Sequence, residues 1–573
     1  MKDLVLVAIN AKYIHTNLAV RSLKAQLCDY EVDIIEISIN DSIHRMVEHC
    51  LAMNCLTFGF SCYIWNMELV LKVTEILKKS RPEATIILGG PEVSFDSAEC
   101  LKAHDFLDCI IAGEGEKSLE MLLASKDDPR AFENIPGLWF RTSGKQIEHG
   151  PAEQAMNLET LNFPYSTKEC FKLKDKIIYY ETMRGCPYHC SYCLSSTNQG
   201  VRTKSLAQVF KDLDFFIAAG MKQVKLVDRT FNFDIKRAKA IFSHLIEAGG
   251  KTNFHFEMTG DQLDEELIDL LKKAQPGLIQ FEIGVQSTDL NTLKAIGRQT
   301  NLTQLEENVQ KILSYENIHL HLDLIAGLPY ETYEVFKTSF NQIIALKPDM
   351  LQLGFLKCLK GTRIRSEGEV HGYFYASFPP YEIISNKYIK SGELYGLRQI
   401  EVLVDRYFNS GGFKKSLSYL FESNLFHSPF DFFEQFSEYW TTQGYYDLGK
   451  SKEQLYAILH DFLKSFDGEG LMEEAIKFDY LLLGTGHLPP FFRDTSPDKE
   501  WIFDFLKDPN HVAEYLPEFI NTPPKKIYTQ VKIQGFSSTW IRYIQGQHLD
   551  SDNQHSLVIF HQGKSVCIHQ DFC

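Results

Sequence analysis

The 573-residue sequence contains no apolar run close to the roughly 20 residues that a membrane-spanning helix requires. It has no block of lysine and arginine, and its formal net charge of −16 does not indicate general binding to nucleic-acid phosphates or anionic membranes. The N-terminus, MKDLVLVAIN, lacks the long apolar core and small-residue cleavage site of a signal peptide. These absences predict a cytoplasmic protein of several domains, with no membrane partner, and argue against a nucleic-acid partner.

Cysteine is not scarce, because the chain has 13, scattered along its length. Without an export signal these thiols are expected to be reduced, and a tight cluster of them favours metal binding over disulfide bonding. One such cluster lies in MRGCPYHCSYC, residues 183–193, where Cys186, Cys190 and Cys193 follow a Cys-x₃-Cys-x₂-Cys pattern. The neighbouring Gly185 indicates a loop rather than a buried stripe.

Residues 1–150 alternate short apolar runs with helical patterns. Near-continuous apolar strands between helices are typical of a parallel sheet that is covered on both faces. We therefore predict a doubly wound α/β domain, followed by a linker hairpin at residues 134–150. The predicted strands are DLVLVAIN, EVDIIEISI, CLTFGFSCY, ATIILGG and LDCIIAG.

Ligands of such sheets bind beyond the carboxyl ends of the strands. Four predicted ends carry short polar or glycine-containing loops, and glycine lets a ligand approach the backbone closely. The alternative, that each loop is only a tight strand-to-helix turn, stays open. The loops are residues 10–13, 61–63, 89–92 and 113–116.

A second alternating region spans residues 170–365. Its predicted strands are KIIYYETM, QVKLVD, NFHFEM, LIQFEIGV, HLHLDLIAG and MLQLGFLK. The helix after the first strand has Ser205 as its N-cap, an apolar stripe, and Gly220 after its end. Six βα repeats fit a partial or full barrel whose working face lies at the carboxyl ends of the strands. The cysteine loop follows the first of those ends.

Residues 366–573 are rich in aromatics and form a third predicted domain, mainly helical. The helical candidate SKEQLYAILHDFLKSF opens with the capping-box spacing of Ser451 and Gln454. A late stretch, KIYTQVKIQGF, has a strand-like pattern. The aromatics either bury a core or line a substrate pocket, and no chemistry is evident here.

Three thiolates within eight positions suit a [4Fe–4S] cluster, in which each thiolate binds a different iron and one iron stays open. An open coordination position is typical of catalytic rather than structural metal sites. A zinc site with His189 as the fourth ligand is an alternative, although tetrahedral sites usually draw their ligands as two spaced pairs. Three unconnected core cysteines are the other alternative.

The sequence CPYHCSYC, placed after the first strand of a βα series, resembles that of the radical S-adenosylmethionine (SAM) enzymes. The resemblance covers about residues 177–365. It implies that the open iron of a [4Fe–4S] cluster chelates SAM and that one electron cleaves SAM to a 5′-deoxyadenosyl radical, which abstracts hydrogen from a substrate. It also implies an electron donor such as flavodoxin or ferredoxin.

The same resemblance assigns SAM contacts to other strand ends. VDRTFN departs from the commoner Gly-Gly-Glu form of the family at the second strand, and the aromatic beside the third cysteine is expected to pack on adenine. Arg298 is either a partner of the SAM carboxylate or a surface arginine. The expected SAM-binding residues are Tyr192, Asp228, Thr230, Glu257, Gln286, Ser287, Ile325 and Gly327.

The first domain, with GGPEVS and AGEGEKSL, resembles the cobalamin-binding branch of this family. The Asp-x-His-x-x-G motif that supplies a histidine to cobalt is absent, and His15 lies near its place as either a cobalt ligand or a loop or interface histidine. With the aromatic tail, the whole chain resembles a bacterial group with a C-terminal extension. The expected cobalamin-binding residues are Ser61, Tyr63, Gly89, Gly90, Glu92, Gly113, Glu114 and Gly115.

The leading hypothesis is therefore a radical SAM enzyme acting on a small-molecule or peptide substrate, with cobalamin-dependent C-methylation as its outcome. One alternative is a cobalamin-independent radical rearrangement or dehydrogenation, and another is a non-catalytic iron–sulfur sensor or adaptor. Methylthiolation of tRNA is disfavoured because the first domain lacks that group's cysteine triad and the tail is not basic.

Overall fold

The protein was analysed as a computed structural model, which describes residues 2–125, 128–142, 144–153, 155–197, 200–467, 470–484, 487–546 and 555–568. Within these ranges, no helix is both long enough and apolar enough to cross a membrane. The chain divides into two compact units. The first comprises residues 1–348 and 352–394, and the second comprises residues 349–351 and 395–573.

The first domain of unit one is built on a seven-stranded sheet in the order β2-β1-β3-β4-β5-β6-β7. Strands β1 to β5 pair in parallel, and the hairpin β6–β7 adds to β5 in antiparallel fashion. The five predicted strands and the hairpin are confirmed. The strands are β1 (Leu4–Asn10), β2 (Val32–Ser38), β3 (Thr57–Ser61), β4 (Thr85–Gly89), β5 (Cys109–Ile111), β6 (Leu138–Arg141) and β7 (Ile147–His149).

Helices cover both faces of this sheet. All seven residues of β1 are buried, with alternate side chains in two separate apolar clusters. Val5 and Val7 belong to one cluster, and Leu4 and Leu6 belong to the other. This double burial explains why the strand is apolar throughout. The helices are α1 (Leu18–Gln26), α2 (Ile43–Leu51), α3 (Met67–Ser80), α4 (Ser97–Ala103) and α5 (Glu116–Ala124).

The second region forms a six-stranded sheet in the order β15-β14-β13-β12-β11-β8. The pairs from β8 through β14 are parallel, as expected for βα repeats, and the short strands β9 and β10 pair separately. The six predicted barrel strands are confirmed. The strands are β8 (Ile177–Tyr180), β9 (Met183–Arg184), β10 (Arg202–Thr203), β11 (Gln223–Leu226), β12 (Asn253–Met258), β13 (Ile279–Gln286), β14 (His319–Ala326) and β15 (Met350–Phe355).

Helices connect these strands on the apolar side of the sheet. The predicted Ser205 cap is confirmed, since its side chain accepts from the backbone N–H of Gln208, and Gly220 follows the helix with a positive φ. The helices of this region are α6 (Thr167–Leu173), α7 (Leu206–Ala218), α8 (Ile235–Ala248), α9 (Glu265–Leu271), α10 (Leu290–Ala295), α11 (Leu302–Leu313) and α12 (Tyr333–Ala345).

Short elements follow the barrel strands, and the second unit is mainly helical, as predicted. The Ser451–Gln454 capping box is present at the start of α18. The helices after the barrel are α13 (Arg363–Ser366), α14 (Gly368–His371), α15 (Ser391–Leu403), α16 (Lys414–Glu422), α17 (Pro429–Thr442), α18 (Lys452–Leu463), α19 (Leu471–Leu482), α20 (Lys499–Lys507), α21 (Pro509–Tyr515), α22 (Pro524–Tyr528) and α23 (Ser538–Ile544). The strands are β16 (Phe374–Tyr375), β17 (Ile383–Ser385), β18 (Lys532–Ser537), β19 (His555–His561) and β20 (Lys564–Ile568).

The predicted strand KIYTQVKIQGF is only partly correct. Its first residues lie in or just after the helix Pro524–Tyr528, and the strand begins at Lys532. Two consecutive prolines explain the difference, because Pro at the first helical positions pre-sets φ for a helix. Aromatic side chains form the core of this unit, including the buried Phe432, Phe436 and Trp440.

Candidate functional site

The cysteine loop lies just beyond the carboxyl end of β8. Cys186 and Cys190 are buried, and Cys193 is partly exposed. The middle of the loop is held from two sides, since Ser191 N–H donates to the Ile296 carbonyl at 2.8 Å and the Ser191 carbonyl accepts from Ile364 N–H at 2.9 Å. The loop is therefore anchored to barrel segments distant in sequence.

Glycine is required at the entry to this loop. Gly185 has φ +97°, and a Cβ there would lie 2.1 Å from the carbonyl oxygen of Gly200. Both the left-handed backbone and the close approach exclude a side chain. The start of the cysteine loop at Gly185 therefore packs directly against the end of the same loop at Gly200.

In the described part of the chain, one group of three possible metal-ligating side chains has all its ligand atoms within 4.8 Å of one another. It consists of His255, Glu282 and His321 and includes no residue of the cysteine loop. His189 is exposed and belongs to no such group.

Asp228 lies at the end of β11 and is fully buried. Its carboxylate accepts from Thr182 N–H at 2.8 Å, Thr182 Oγ1 at 2.5 Å and Met183 N–H at 3.1 Å. Burial raises the pKa of Asp228 to about 7, although these bonds oppose the shift. The carboxylate therefore positions the backbone just before the cysteine loop.

Thr230 is close to the loop itself. Its Oγ1 lies 3.5 Å from the sulfur of Cys186 and donates to the Arg229 carbonyl at 2.8 Å. The side chain is only 4% exposed. Of the two residues predicted at this strand end, Thr230 is thus the one that contacts a cysteine.

Arg298 is half-buried and lies beside Tyr192 and Cys190 of the cysteine loop. Its guanidinium donates to the Gly284 carbonyl and, through Nε at 3.3 Å, to Thr300 Oγ1. Burial opposes its charge, but Tyr192 and Cys190 outweigh this and raise the pKa of Arg298. It therefore places positive charge beside a cysteine of the loop.

Other predicted SAM-binding residues occupy different surroundings. Gln286 has φ +74° at an irregularity of β13, which is a strained position for a residue other than glycine. Ser287 is fully buried beside Ser339 of α12, at 3.5 Å between the hydroxyl oxygens. Ile325 is the second-last residue of β14, and Gly327 directly follows the strand with φ +90°. Ser287 therefore packs against helix α12 and is not exposed to solvent.

Glu257 projects from β12 with its side chain 24% exposed. It lies 3.4 Å from Lys225 Nζ and 3.8 Å from a guanidinium nitrogen of Arg229. Lys225 also contacts Glu282 at 2.8 Å. Glu257 is therefore part of a charged network on the inner face of the barrel.

Sequence reasoning missed most of this inner network. Lys225, His255, Glu282 and His321 lie on neighbouring strands, and their side chains come together. A sequence signal for this network exists, because polar residues alternate with apolar ones along three strands, in the stretches HLHLDL, NFHFEM and QFEIGV. Period-two polarity in a barrel strand indicates a polar interior.

The strand ends of the first domain form a compact set of loops. Gly90 has φ +117°, and a Cβ on it would lie 2.6 Å from the Cys62 carbonyl oxygen, so the loops after β3 and β4 are in contact. Gly89 O accepts from Cys62 N–H at 2.7 Å. Ser61 is buried, and Tyr63 stacks on Trp65 with ring centroids 4.3 Å apart. Trp65, which is 44% exposed, was not predicted.

The loop after β5 also has restricted space. Gly113 has φ +80°, and a Cβ there would overlap the Glu153 side chain. Gly115 precedes helix α5 directly and has an ordinary backbone conformation. Of these two predicted positions, Gly113 is the one whose geometry requires glycine.

Glu92 and Glu114, predicted as cofactor contacts, form ion pairs with the barrel region. Glu92 is 3% exposed, lies 3.1 Å from Lys360 Nζ, and accepts from Tyr381. Glu114 contacts Arg184 at 3.1 Å and also pairs with Arg202. These charges hold the first domain against the barrel within one unit.

His15 is an interface histidine in this structure. Its Nδ1 lies 2.7 Å from the hydroxyl oxygen of Tyr179 on β8. The same segment joins β8 through backbone contacts, since Ile177 N–H donates to the Ile14 carbonyl and Thr16 Oγ1 donates to the Ile177 carbonyl. The alternative of an interface residue, rather than a cobalt ligand, fits these contacts.

Three family models match successive parts of the chain. Residues 4–123 match the B12 binding domain, residues 180–343 match the Radical SAM superfamily, and residues 369–560 match the protein of unknown function DUF4080. The first two matches coincide with the doubly wound sheet and the barrel strands described above.

Curated relatives include the 2-(S-pantetheinyl)-carbapenam-3-carboxylate methyltransferase of Streptantibioticus cattleyicolor and the cobalamin-dependent radical SAM methyltransferase TokK of Streptomyces tokunonensis. Each is 26% identical over 50% of this chain, and the match spans 44% of the relative's length.

Solved structures with a similar fold include the radical SAM methyltransferase TsrM of Kitasatospora setae, with cobalamin and a [4Fe–4S] cluster bound. Its TM-score is 0.55 at 17% identity, covering 66% of this chain and 79% of TsrM. The cobalamin-dependent radical SAM enzyme OxsB, with aqua-cobalamin and SAM bound, gives 0.57 at 16% identity, covering 84% and 79%. The chain therefore contains, in order, a B12-binding domain, a radical SAM domain and a segment that matches DUF4080.

Proposed function

We propose that this protein is a radical SAM enzyme that binds a [4Fe–4S] cluster, SAM and cobalamin, and methylates a carbon atom of its substrate. The observation that carries the proposal is the anchored three-cysteine loop at the end of β8, in one unit with a domain whose glycine-bearing strand ends fit the B12-binding pattern. Methyltransferases among the relatives support methylation as the outcome.

The cysteine loop fits a cluster better than a single ion. Cys186 and Cys190 are buried on one short loop, whereas His189, the candidate fourth ligand of a zinc site, is exposed. Three thiolates of a [4Fe–4S] cluster bind three different irons and leave one iron open. Cys186, Cys190 and Cys193 would therefore hold the cluster.

The surrounding residues position this loop and set its electrostatics. Asp228 fixes the backbone of Thr182 and Met183, and Ser191 ties the loop to the Ile296 carbonyl. Burial raises the pKa of the Cys190 thiol, whereas the Arg298 guanidinium opposes that shift and favours the thiolate. Arg298 thus helps to keep a metal-binding sulfur deprotonated.

The first domain fits cobalamin at its strand ends. Gly90 lets the loops after β3 and β4 lie against each other at the carboxyl end of the sheet, which is where sheets of this kind bind ligands. His15 bonds Tyr179, so we propose that it does not ligate cobalt. When bound, the cluster would supply the electron for cleavage of SAM, and cobalamin would supply the methyl group.

We infer a small-molecule substrate from the relatives, with flavodoxin or ferredoxin as the electron donor. The charged inner face around Lys225 and Glu257 offers both donors and acceptors to a polar substrate. Exclusion of water from this space protects reactive species from side reactions.

Anaerobically reconstituted protein, incubated with SAM and dithionite, tests the radical step. Wild type should form 5′-deoxyadenosine, and Cys190→Ala should reduce this by at least 100-fold. Cys358→Ala, which removes another buried thiol outside the loop, is the matched control and should retain activity. Equal product from wild type and Cys190→Ala would refute the proposal.

Cobalamin binding is tested separately. Wild type mixed with hydroxocobalamin and then desalted should retain about one equivalent by absorbance. Radical cleavage of SAM without retained cobalamin would favour the alternative of a rearrangement or dehydrogenation.

A further inference from the structure

His255, Glu282 and His321 form a compact group inside the barrel, apart from the cysteine loop. Their ligand atoms all lie within 4.8 Å of one another. Glu282 and His321 are direct register partners on β13 and β14, and His255 lies on β12 beside Gln280. Three adjacent parallel strands therefore direct these groups to one point.

This point lies well inside the barrel. Glu282 is four residues before Gln286, the last residue of β13, which corresponds to about 13 Å along a strand. His255 is 7% exposed, and the Glu282 side chain is 20% exposed. The group is thus sheltered and separate from the loop that carries the cysteines.

Two shielded polar atoms in this space lack hydrogen-bond partners among the described residues. His255 Nε2 lies 3.1 Å from Glu282 Oε2 without hydrogen-bond geometry, and Asp323 Oδ1 has no partner. Asp323 lies two residues beyond His321 on the same face of β14. A buried nitrogen and a buried carboxylate oxygen without partners are what a cation, with its bound water, would satisfy.

The donor atoms suit metal binding, because imidazole nitrogens and carboxylate oxygens are ordinary ligands of divalent transition-metal ions. Gln280 lies 2.9 Å from His321 Nε2 and can hold the ring in place.

We propose that His255, Glu282 and His321 bind a divalent transition-metal ion, with Zn²⁺ as the probe, at a site distinct from the iron–sulfur cluster. Two histidines and one carboxylate form a ligand set found in catalytic zinc sites and in non-haem iron sites, both of which leave positions open. The open positions face the inner space of the barrel and suit an oxygen or nitrogen of a polar substrate.

Lys225 modulates this site. Its Nζ lies 2.8 Å from Glu282 Oε2, so the ammonium competes with a metal ion for the carboxylate. Binding of the ion would replace the contact of Glu282 with Lys225, and Glu257 at 3.4 Å is the partner that remains for the lysine. Removing the ammonium should therefore strengthen metal binding.

The test uses the reconstituted holoenzyme, incubated with Zn²⁺ and desalted, with zinc measured by elemental analysis and X-ray absorption at the zinc edge. That edge reports zinc alone, whatever iron or cobalt is present. We expect about one zinc per chain with nitrogen and oxygen ligands at about 2.0–2.1 Å and no sulfur at about 2.3 Å. No retained zinc, or zinc with sulfur ligands, would overturn the proposal.

Single-residue variants test whether the retained zinc binds to this group of residues. His255→Ala and Glu282→Gln should each lower zinc retention at least tenfold, and Lys225→Gln should raise zinc affinity several-fold. His319→Ala is the matched control, because its ring is 4.8 Å from that of His321 on the same strand yet it is outside the group. Equal losses in His319→Ala and His255→Ala would contradict the assignment. Unchanged affinity in Lys225→Gln would also contradict it, even if the other variants fail to fold.

Discussion

The two large sheets of unit one use opposite strand patterns. Strand β1 of the first domain is apolar at most positions and buried at all seven. Strand β14 of the barrel alternates, with Leu320, Leu322 and Leu324 fully buried and His319, His321 and Asp323 at the positions between them. The barrel sheet, unlike the sheet of the first domain, therefore has one face lined by polar side chains that can take part in binding or catalysis.

Packing explains this difference. Two apolar clusters cover the two faces of the first sheet, so its ligand-binding candidates are confined to loops at the strand ends. In strand β14 of the barrel sheet, one face carries fully buried leucines and the other carries polar side chains that are exposed or partly buried. A barrel strand can therefore carry functional groups along its length, whereas a strand covered on both faces cannot.

The largest expected effect comes from placing a charge in the doubly covered sheet. Val7→Asp should destabilise the protein by at least about 4 kcal/mol, because Val7 is 0% exposed and packs in an apolar cluster where a carboxylate would lose its hydration. Glu257→Gln in the barrel should cost about 1 kcal/mol or less, since its ion pairs are long and partly exposed. Thermal unfolding and the soluble yield compare the two variants, and similar losses would contradict the contrast.

Gly90→Ala tests the loops at the ends of the first sheet. The variant should cost about 2 kcal/mol and reduce retained cobalamin, because the new Cβ meets the Cys62 carbonyl oxygen and φ is +117°. The matched control is Gly392→Ala, where a Cβ meets open space within helix α15. That control should be neutral or stabilising by up to about 1 kcal/mol. Absorbance after desalting and thermal unfolding report both effects.

Arg298→Lys tests support of the cysteine loop from the barrel side. Lysine cannot reproduce the forked contacts of the guanidinium with Gly284 and Thr300, so iron content after reconstitution should fall several-fold. Lys294→Gln changes a nearby exposed charge and should leave iron content unchanged. Full iron content in Arg298→Lys would show that the loop does not need this support.

The last prediction concerns the pH dependence of stability that Asp228 produces. Because burial raises its pKa from 3.8 to about 7, the folded chain holds a proton there that the unfolded chain has lost between these values. The stability that this group contributes is therefore full below pH 3.8 and falls as the pH rises to about 7.

Asp228→Asn removes this titration. The stability difference between wild type and Asp228→Asn should shrink by up to about 4 kcal/mol as the pH rises through this range, since each tenfold change in proton affinity corresponds to about 1.4 kcal/mol. Denaturant unfolding at several pH values measures it. A constant difference would mean that the Thr182 and Met183 donors keep the carboxylate ionised.

The sequence predicts the fold well because its patterns are local. The apolar runs of the first domain, the βα repeats and the caps at Ser205 and Ser451 each depend on residues close in the chain. The late strand was misplaced because Pro524 favours a helix in a stretch that also has strand-like alternation.

The site is less predictable, because its contacts join distant segments. The cysteine spacing is local and readable, whereas the bonds of Asp228 to Thr182 and the ion pair of Glu92 with Lys360 depend on the completed fold. A strand-end carboxylate can contact a ligand, hold a backbone or join two domains, and only the three-dimensional structure separates these roles. The inner histidines were missed because they were not considered as a set across strands.

Electron paramagnetic resonance of the reduced, reconstituted protein, recorded with and without SAM, tests the central claim most directly. A cluster held by only Cys186, Cys190 and Cys193 leaves one iron open, so SAM should change the signal of the reduced cluster. A cluster signal that SAM leaves unchanged, or no cluster signal at all, would contradict the account.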